Sequence, residues 1–221
     1  MSVGRINPWQ EFWGETYGPE LKHYLLGPVF ERLEAEDKIG DLIVDVGSGA
    51  VPVTQLLKPR ANRKRICVDI AADGTRTNDS LRIRFDAEKV NQPELLSCRK
   101  ALARICVFLG IDLRKESDVE RADTVLFSDI LNYLDFKRVI SGFGRFVKPG
   151  GRLIVFNLPY RGNRSLFSDR GLKDNRDLYR MLGGNRFEIE SKEFPKRPRR
   201  EMSEAEELIV LVARKLPRPG H

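Results

Sequence analysis

Residues 41–52 read DLIVDVGSGAVP, and this stretch predicts the beginning of an α/β fold. Four of its first six residues are apolar, with Asp41 at the start and Asp45 near the end, which is typical of a parallel strand that is covered on both faces. The strand ends at Gly47, and a glycine-rich turn leads to a helix expected from about Pro52 to Leu57, because proline suits the first helical position. A strand, a glycine turn and a helix form the first unit of a doubly wound sheet.

The alternation of strands and helices continues on both sides of this stretch. One or two N-terminal helices, broken near Gly18 and Gly27, are predicted within residues 8–35. Two C-terminal strands are separated by too few residues for a helix and are therefore predicted to pair antiparallel. The predicted fold class is α/β, with a doubly wound, mostly parallel seven-stranded sheet, a C-terminal antiparallel hairpin and an N-terminal helical cap. The other predicted elements are strands at 65–70, 81–85, 123–127, 152–156, 187–191 and 207–213, helices at 93–109 and from the fourth strand to about Val147, and a tight turn at 149–151.

Composition restricts the class of protein. The chain has 221 residues, of which 41% are hydrophobic and 32% charged, as expected for a soluble globular protein. Residues 1–40 are predicted to form a cap or lid segment, and residues 41–221 the main domain. No stretch resembles a secretory signal or a membrane span. The three cysteines lack CxxC spacing, which predicts no zinc or other metal site and favours a reducing, cytoplasmic setting.

Positive charge is concentrated toward the C-terminus. Residues 1–40 carry 4 basic and 7 acidic side chains, whereas residues 151–221 carry 16 basic and 10 acidic ones. The most basic segment is Lys196–Arg200. A basic surface attracts anionic partners such as RNA, but arginine-rich surfaces also keep proteins in solution. Both interpretations of this segment stay open.

An acidic residue closes each of the first three predicted strands: Asp45, Asp69 and Asp86. Ligands of doubly wound sheets bind beyond the carboxyl ends of the strands, where Gly47 and Gly49 would let the backbone approach a ligand closely. The amides of the following helix would then point at that ligand. A carboxylate at Asp69 could accept hydrogen bonds from both hydroxyls of a ribose, and Asp86 could accept one from the exocyclic amine of a base.

With these residues, the chain resembles the class I S-adenosylmethionine-dependent methyltransferases. The matching stretches are VDVGSGAVPVTQLL, RICVDIA, RIRFDAEKV and LFSDILNYLDFKRVISGFGRFVKPGGRLIVFNLP, and they span about residues 41–158. The resemblance implies S-adenosylmethionine as cofactor and methyl transfer as the reaction. It also implies roles for individual residues. The loop of Asp45, Gly47, Ser48 and Gly49 would contact the methionine moiety through its amides. Asp69 would bind the ribose, Ile70 would pack on the adenine face, and Asp86 and Ala87 would contact the adenine edge. Ser128 and Asp129 would border the methionine end and the transferred methyl group.

The acceptor is predicted to be a small molecule. An RNA-modifying methyltransferase is the first alternative, and a non-catalytic S-adenosylmethionine-binding partner protein is the second. A nicotinamide-dependent oxidoreductase would need a third glycine where this chain has Pro52. Asp45 could instead cap the loop amides, and Ser128 could be a helix N-cap.

No strong general base stands out. Asp129, Tyr133, Tyr160 and His23 are weak candidates, although His23 also suits a structural role on the N-terminal helix. The run Asn157 to Tyr160, which reads NLPY, resembles a motif of amino-methyltransferases, but it follows the fifth strand rather than the fourth and is interpreted as coincidental. The aromatic side chains of the N-terminal segment either pack on the sheet or form a lid over the acceptor and cofactor. They are Trp9, Phe12, Trp13 and Tyr17.

Overall fold

A computed structural model describes residues 19–49, 52–70, 72, 74–92, 95–109, 121–157, 168–194 and 208–217. The four helices in these ranges are α1 (Pro19–Ala35), α2 (Leu96–Leu109), α3 (Phe136–Gly144) and α4 (Asn175–Gly184). The strands are β1 (Leu42–Val46), β2 (Lys64–Asp69), β3 (Ser80–Arg84), β4 (Ala122–Ser128), β5 (Val147–Asn157), β6 (Phe187–Glu193) and β7 (Ile209–Lys215).

The strands form one sheet in the order β3-β2-β1-β4-β5-β7-β6. All pairings from β3 to β5 are parallel, and β7 is antiparallel to both β5 and β6. This confirms the predicted fold class, including the C-terminal hairpin. The chain proceeds from β1 to β2 and β3 on one side and from β4 to β5 on the other, so the switch point of the sheet lies between β1 and β4.

Each face of the sheet has its own apolar core. One face carries Val46, Val68 and Val125 and packs against α2, α3 and α4. The other face carries Ile43, Leu126 and Ile154 and packs against α1 through Leu26, Phe30 and Leu33. None of the helices in the described ranges is long and apolar enough to cross a membrane.

Helix α1 does not break at Gly27, contrary to the sequence prediction. It continues through Gly27 and Pro28 to Ala35. A proline inside a helix removes a backbone hydrogen bond and costs about 3 kcal/mol. The burial of Phe30 and Leu33 against the sheet offsets this cost, because fully burying one such side chain contributes about 1.5–3 kcal/mol.

The helix predicted from Pro52 to Leu57 is a four-residue 3-10 helix, Val53–Leu56. Pro52 precedes it in an extended conformation, and Leu57 is extended after it. Pro59 disfavours the α region at the residue before it, Lys58, so the helix could not have continued beyond Leu57. Prolines at both ends therefore leave too few residues for a stable α-helix. The connection between β1 and β2 is short as a result.

Two further differences concern the second half of the chain. Helix α4 was not predicted; it begins after Asp174, whose side chain accepts a hydrogen bond from the amide of Arg176, and it ends in two glycines. The predicted turn at 149–151 lies inside β5, where Gly150 has a φ of +77° and the pairing with β4 shifts register between Ala122 and Thr124. The glycines therefore produce an irregularity in the strand rather than its start.

Candidate functional site at the switch point

The loop after β1 requires glycine at its first position. Gly47 has a φ of +75°, which residues with a side chain rarely adopt. A Cβ built on Gly47 would lie 2.4 Å from Cδ1 and 2.6 Å from Cβ of Ile130, in the loop after β4. Gly49 also has a positive φ, +66°, but a Cβ there would have no described residue within 4 Å. The open space beside Gly49 leaves room for another molecule to approach the loop.

The amides of this loop donate hydrogen bonds to groups of β2. Gly47 and Ser48 donate their backbone N–H groups to the carbonyl oxygen of Val68 on β2, at 2.8 and 3.4 Å. Gly49 donates to Oδ2 of Asp69 at 2.9 Å. These amides are therefore used to hold the loop against β2. The predicted contact of the loop with the methionine moiety stays a prediction.

Asp45 lies beneath the loop and is completely buried. Its Oδ2 accepts a hydrogen bond from the hydroxyl of Thr54, and this bond links the 3-10 helix to β1. Cys67 on β2 lies beside it, and burial together with the charge of Asp45 raises the pKa of its thiol to about 12. Cys67 therefore stays protonated near neutral pH and is not a thiolate nucleophile.

Asp69 and Ile70 occupy the end of β2, where the sequence predicts contacts to ribose and adenine. The Asp69 carboxylate is half-buried and bonded to the loop. Ile70 is 45% exposed, although the apolar side chains before it on β2 are buried. An apolar side chain exposed next to a carboxylate suits a ligand that presents both a flat apolar face and hydroxyl groups.

Asp86 and Ala87 follow β3 at the start of a short 3-10 helix, Ala87–Lys89. The Asp86 side chain accepts a hydrogen bond from the amide of Glu88 at 3.1 Å and pairs with Lys89 at 3.2 Å. Asp86 thus has a capping role of its own, and its contact with adenine stays a prediction. Ala87 is buried.

Two serine hydroxyls are buried on either side of the switch point. Ser48 is 0% exposed in the loop after β1, and Ser128 is 2% exposed as the last residue of β4. Neither Oγ has a hydrogen-bond partner among the described residues. A buried hydroxyl without a partner costs roughly 1–3 kcal/mol. Both Oγ atoms are almost completely covered by protein atoms. Ser128 is not a helix N-cap, since Asp135 caps α3.

The loop after β4 is held in place from β5. The Asn157 side chain accepts a hydrogen bond from the amide of Leu131 at 3.2 Å and donates to Oδ1 of Asn132 at 2.9 Å. Both asparagines are buried. Asn157 therefore has a structural role within the NLPY run, and neither it nor Ile130 was predicted as part of the site. Asp129 has a φ of +54° and donates its amide to the carbonyl of Phe156.

Solved structures with a similar fold were found by comparison, whereas no protein-family model and no curated protein matches the chain. A methyltransferase from Archaeoglobus fulgidus that depends on S-adenosylmethionine matches with a TM-score of 0.60 and 14% identity, over 95% of this chain and all of that one (100%). The 1,6-didemethyltoxoflavin-N1-methyltransferase of Burkholderia thailandensis, with bound S-adenosylhomocysteine, matches with 0.58 and 13%, over 95% and 86%. The chain has the class I methyltransferase fold.

A third structure with the methyltransferase fold comes from a complex. The complex joins the Trm112 methyltransferase activator of Haloferax volcanii to a methyltransferase. The match has a TM-score of 0.61 and 12% identity, over 96% of this chain and 99% of the matched chain. At these identities the likeness describes the fold. It does not distinguish one class of acceptor from another.

Several predicted residues lie outside the described part of the methyltransferase fold. These are Tyr160, the basic segment Lys196–Arg200 and the lid candidates Trp9, Phe12, Trp13 and Tyr17. His23 belongs to α1, but its side chain is outside the described set. Tyr133 is half-buried in the loop after β4. The described residues contain no cluster of three or more His, Cys, Asp or Glu side chains that could hold a metal ion.

Two glycine substitutions test the geometry of the loop. Both Gly47→Ala and Gly49→Ala introduce a side chain at a positive φ, but only the first also meets Ile130. We expect Gly47→Ala to lower the free energy of unfolding by about 1–3 kcal/mol more than Gly49→Ala does, which is the usual cost of overpacking. Urea unfolding of both variants measures the difference. Equal losses would show that Ile130 can move away from the loop.

Proposed function

We propose that this protein is an S-adenosylmethionine-dependent methyltransferase with a small-molecule acceptor. The observation that carries the proposal is the half-buried carboxylate of Asp69 at the end of β2, next in sequence to the exposed Ile70 side chain and bonded to the glycine loop after β1. The neighbour from Burkholderia thailandensis supports it, since that methyltransferase has a similar fold and was solved with bound 1,6-didemethyltoxoflavin and S-adenosylhomocysteine.

The residues present fit this cofactor. Asp69 would accept hydrogen bonds from the ribose hydroxyls, and the exposed side chain of Ile70 would pack on the adenine face. Asp86 and Ala87 would lie at the adenine edge. As the resemblance implies, the loop that contains Ser48 would meet the methionine moiety, and Ser128 would border the methionine end. When bound, the cofactor supplies a methyl group on a positively charged sulfur.

The residues of the chain would contribute mainly by positioning. Asp45, Gly47 and Gly49 shape the loop, and Asp129 and Tyr133 are the described residues nearest in sequence to Ser128 that could border the acceptor. Proximity and alignment alone can contribute about 7–11 kcal/mol to a reaction between two bound partners. The proposal therefore needs no strong base, although Tyr160 and His23 remain candidates. An aromatic lid formed by Trp9, Phe12, Trp13 and Tyr17 is part of the same proposal.

Isothermal titration calorimetry tests the cofactor. We expect micromolar binding of both S-adenosylmethionine and S-adenosylhomocysteine and no comparable binding of NADH or NADPH, because Asp69 suits an unphosphorylated ribose and Pro52 replaces the third glycine of the dinucleotide loop. The opposite preference would refute the proposal.

The acceptor class is tested separately with a methyl-labelled cofactor. The protein is incubated with a cell extract that has been divided into small molecules, RNA and protein, and label is expected in the small-molecule fraction. Label in the RNA fraction would show that the acceptor is RNA rather than a small molecule, and the reaction would still be methyl transfer. Cofactor binding without transfer to any fraction would instead support a non-catalytic role.

A further inference from the structure

Arg82 is a charged residue in the middle of β3, on the opposite face of the strand from the buried Leu81 and Ile83. It pairs in register with Cys67, and Arg84 pairs with Asp69. Because paired residues of parallel strands share a face, Arg82 lies on the same face as Asp69. From there its Nη2 donates a hydrogen bond to the carbonyl oxygen of Gly49 at 2.9 Å.

Gly49 is therefore held from two sides. Its N–H donates to Asp69, and its carbonyl oxygen accepts from Arg82, each at 2.9 Å. The N–H and the carbonyl of one residue belong to the two peptide units on either side of its Cα. Fixing both units fixes φ and ψ together, in a residue that otherwise has the greatest backbone freedom.

The position of Arg82 is itself braced. Its backbone N–H donates to the carbonyl oxygen of Thr75 at 2.8 Å, which covers part of the outer edge of β3. The Arg104 side chain reaches from α2 to the carbonyl oxygen of Gly74 at 2.8 Å. The edge strand thus offers a fixed support, and the planar guanidinium presents its N–H groups in a rigid geometry.

We infer that Arg82 is a positioning residue that, together with Asp69, holds the Gly49 backbone in its ligand-binding conformation before the cofactor arrives. This inference rests on the proposed function. Ordering the backbone of one residue costs about 1–2 kcal/mol, and a loop that is already ordered does not lose this amount from the binding energy. Without the Arg82 contact, cofactor affinity is expected to fall by roughly 5- to 30-fold.

Three variants test the role of Arg82. Arg82→Met removes the donor and keeps most of the apolar stem, Arg82→Lys keeps the charge and one donor group, and Arg84→Met is the matched control two residues further along the same face, at an exposed position. We expect Arg82→Met to raise the Kd for S-adenosylhomocysteine about 5- to 30-fold, Arg82→Lys to recover part of this loss, and Arg84→Met to stay within about twofold of the unmodified protein. All three are compared at matched fractions of folded protein.

Amide hydrogen exchange in the free protein gives a second measurement. We expect the Gly49 amide to exchange faster in Arg82→Met and at an unchanged rate in Arg84→Met. Unchanged affinity and unchanged exchange in Arg82→Met would overturn the inference. If that variant does not fold, Arg82→Lys must show the intermediate loss, and wild-type values in it would have the same meaning. Failure of the unmodified protein to bind S-adenosylhomocysteine would refute the proposed function, while the exchange experiment would still test the contact.

Discussion

Glu34→Ala is expected to lower the free energy of unfolding by about 3–5 kcal/mol. This is a large share of the total free energy of unfolding of a domain, which is roughly 5–15 kcal/mol. Glu34 in α1 and Arg63 before β2 form an ion pair of 2.6 Å, with side chains only 5% and 4% exposed. The other Glu34 oxygen accepts from the amide of Lys58, and Arg63 also donates to the Lys58 carbonyl. Removing the carboxylate would leave the Arg63 cation buried without its partner.

Urea unfolding of two variants separates this cause from a simple loss of packing. A double variant, Glu34→Leu with Arg63→Met, removes both charges and is expected to be close to the unmodified protein, because buried pairs can be replaced by apolar side chains at little cost. If Glu34→Ala changes stability by less than about 0.5 kcal/mol, the pair contributes nothing measurable.

The same pair predicts a dependence on pH. Burial raises the pKa of Glu34, but the hydrogen bonds from Lys58 and Arg63 outweigh it, so that the pKa lies below its ordinary value of 4.5. The stabilisation is then complete above the unfolded-state pKa and is lost as the pH falls through the lower folded-state value. The difference in stability between the unmodified protein and Glu34→Gln should therefore shrink below about pH 4.5. A constant difference down to lower pH would contradict the ionised state of Glu34.

Asp69→Ala is expected to weaken binding of S-adenosylhomocysteine by about 1.5–3 kcal/mol, the scale for losing hydrogen bonds to a charged acceptor. The variant loses the proposed ribose contact and also the bond to the Gly49 amide. The fold should survive, because Asp69 is the last residue of β2. Calorimetry measures the affinity, and circular dichroism confirms that the protein is folded.

Two related variants serve as comparisons for Asp69→Ala. Asp69→Asn keeps an oxygen that can accept from Gly49 and should bind more tightly than Asp69→Ala. Asp86→Ala is expected to cost less than Asp69→Ala, since Asp86 already caps the 3-10 helix after β3 and pairs with Lys89. A folded Asp69→Ala protein with unchanged affinity would remove Asp69 from the cofactor site.

The sheet and the acids at its edge could be predicted because they depend on local pattern. The run 42–46 is apolar except for Asp45, and a parallel strand followed by glycine places this carboxylate at the ligand edge of the sheet. The antiparallel hairpin could be predicted because too few residues separate its two strands in the sequence for a helix to fit between them. Each of these signals lies within a few residues of the feature that it predicts.

The features that were missed depend on contacts between distant segments. The continuity of α1 depends on packing of Phe30 and Leu33 against the sheet, which the local sequence around Gly27 and Pro28 does not show. The direction of the loop amides depends on Val68, and the hold on Gly49 depends on Arg82, which looks from the sequence like an ordinary polar position in an alternating strand. The shortened helix after Pro52 is different, because Pro59 was a local signal for it.

The place of β7 between β5 and β6 has a consequence for synthesis of the protein. The ribosome makes β6 before β7, yet among the described strands β6 pairs only with β7. Until residues 209–215 emerge, the growing chain has an unpaired edge at β5 and a detached β6. At about 5–20 residues per second, the roughly 20 residues from the end of β6 to the end of β7 take on the order of 1–4 s to make. During that time the exposed edge of β5 is a template for pairing with other chains, so we expect the nascent protein to depend on chaperones at this stage more than at any earlier one.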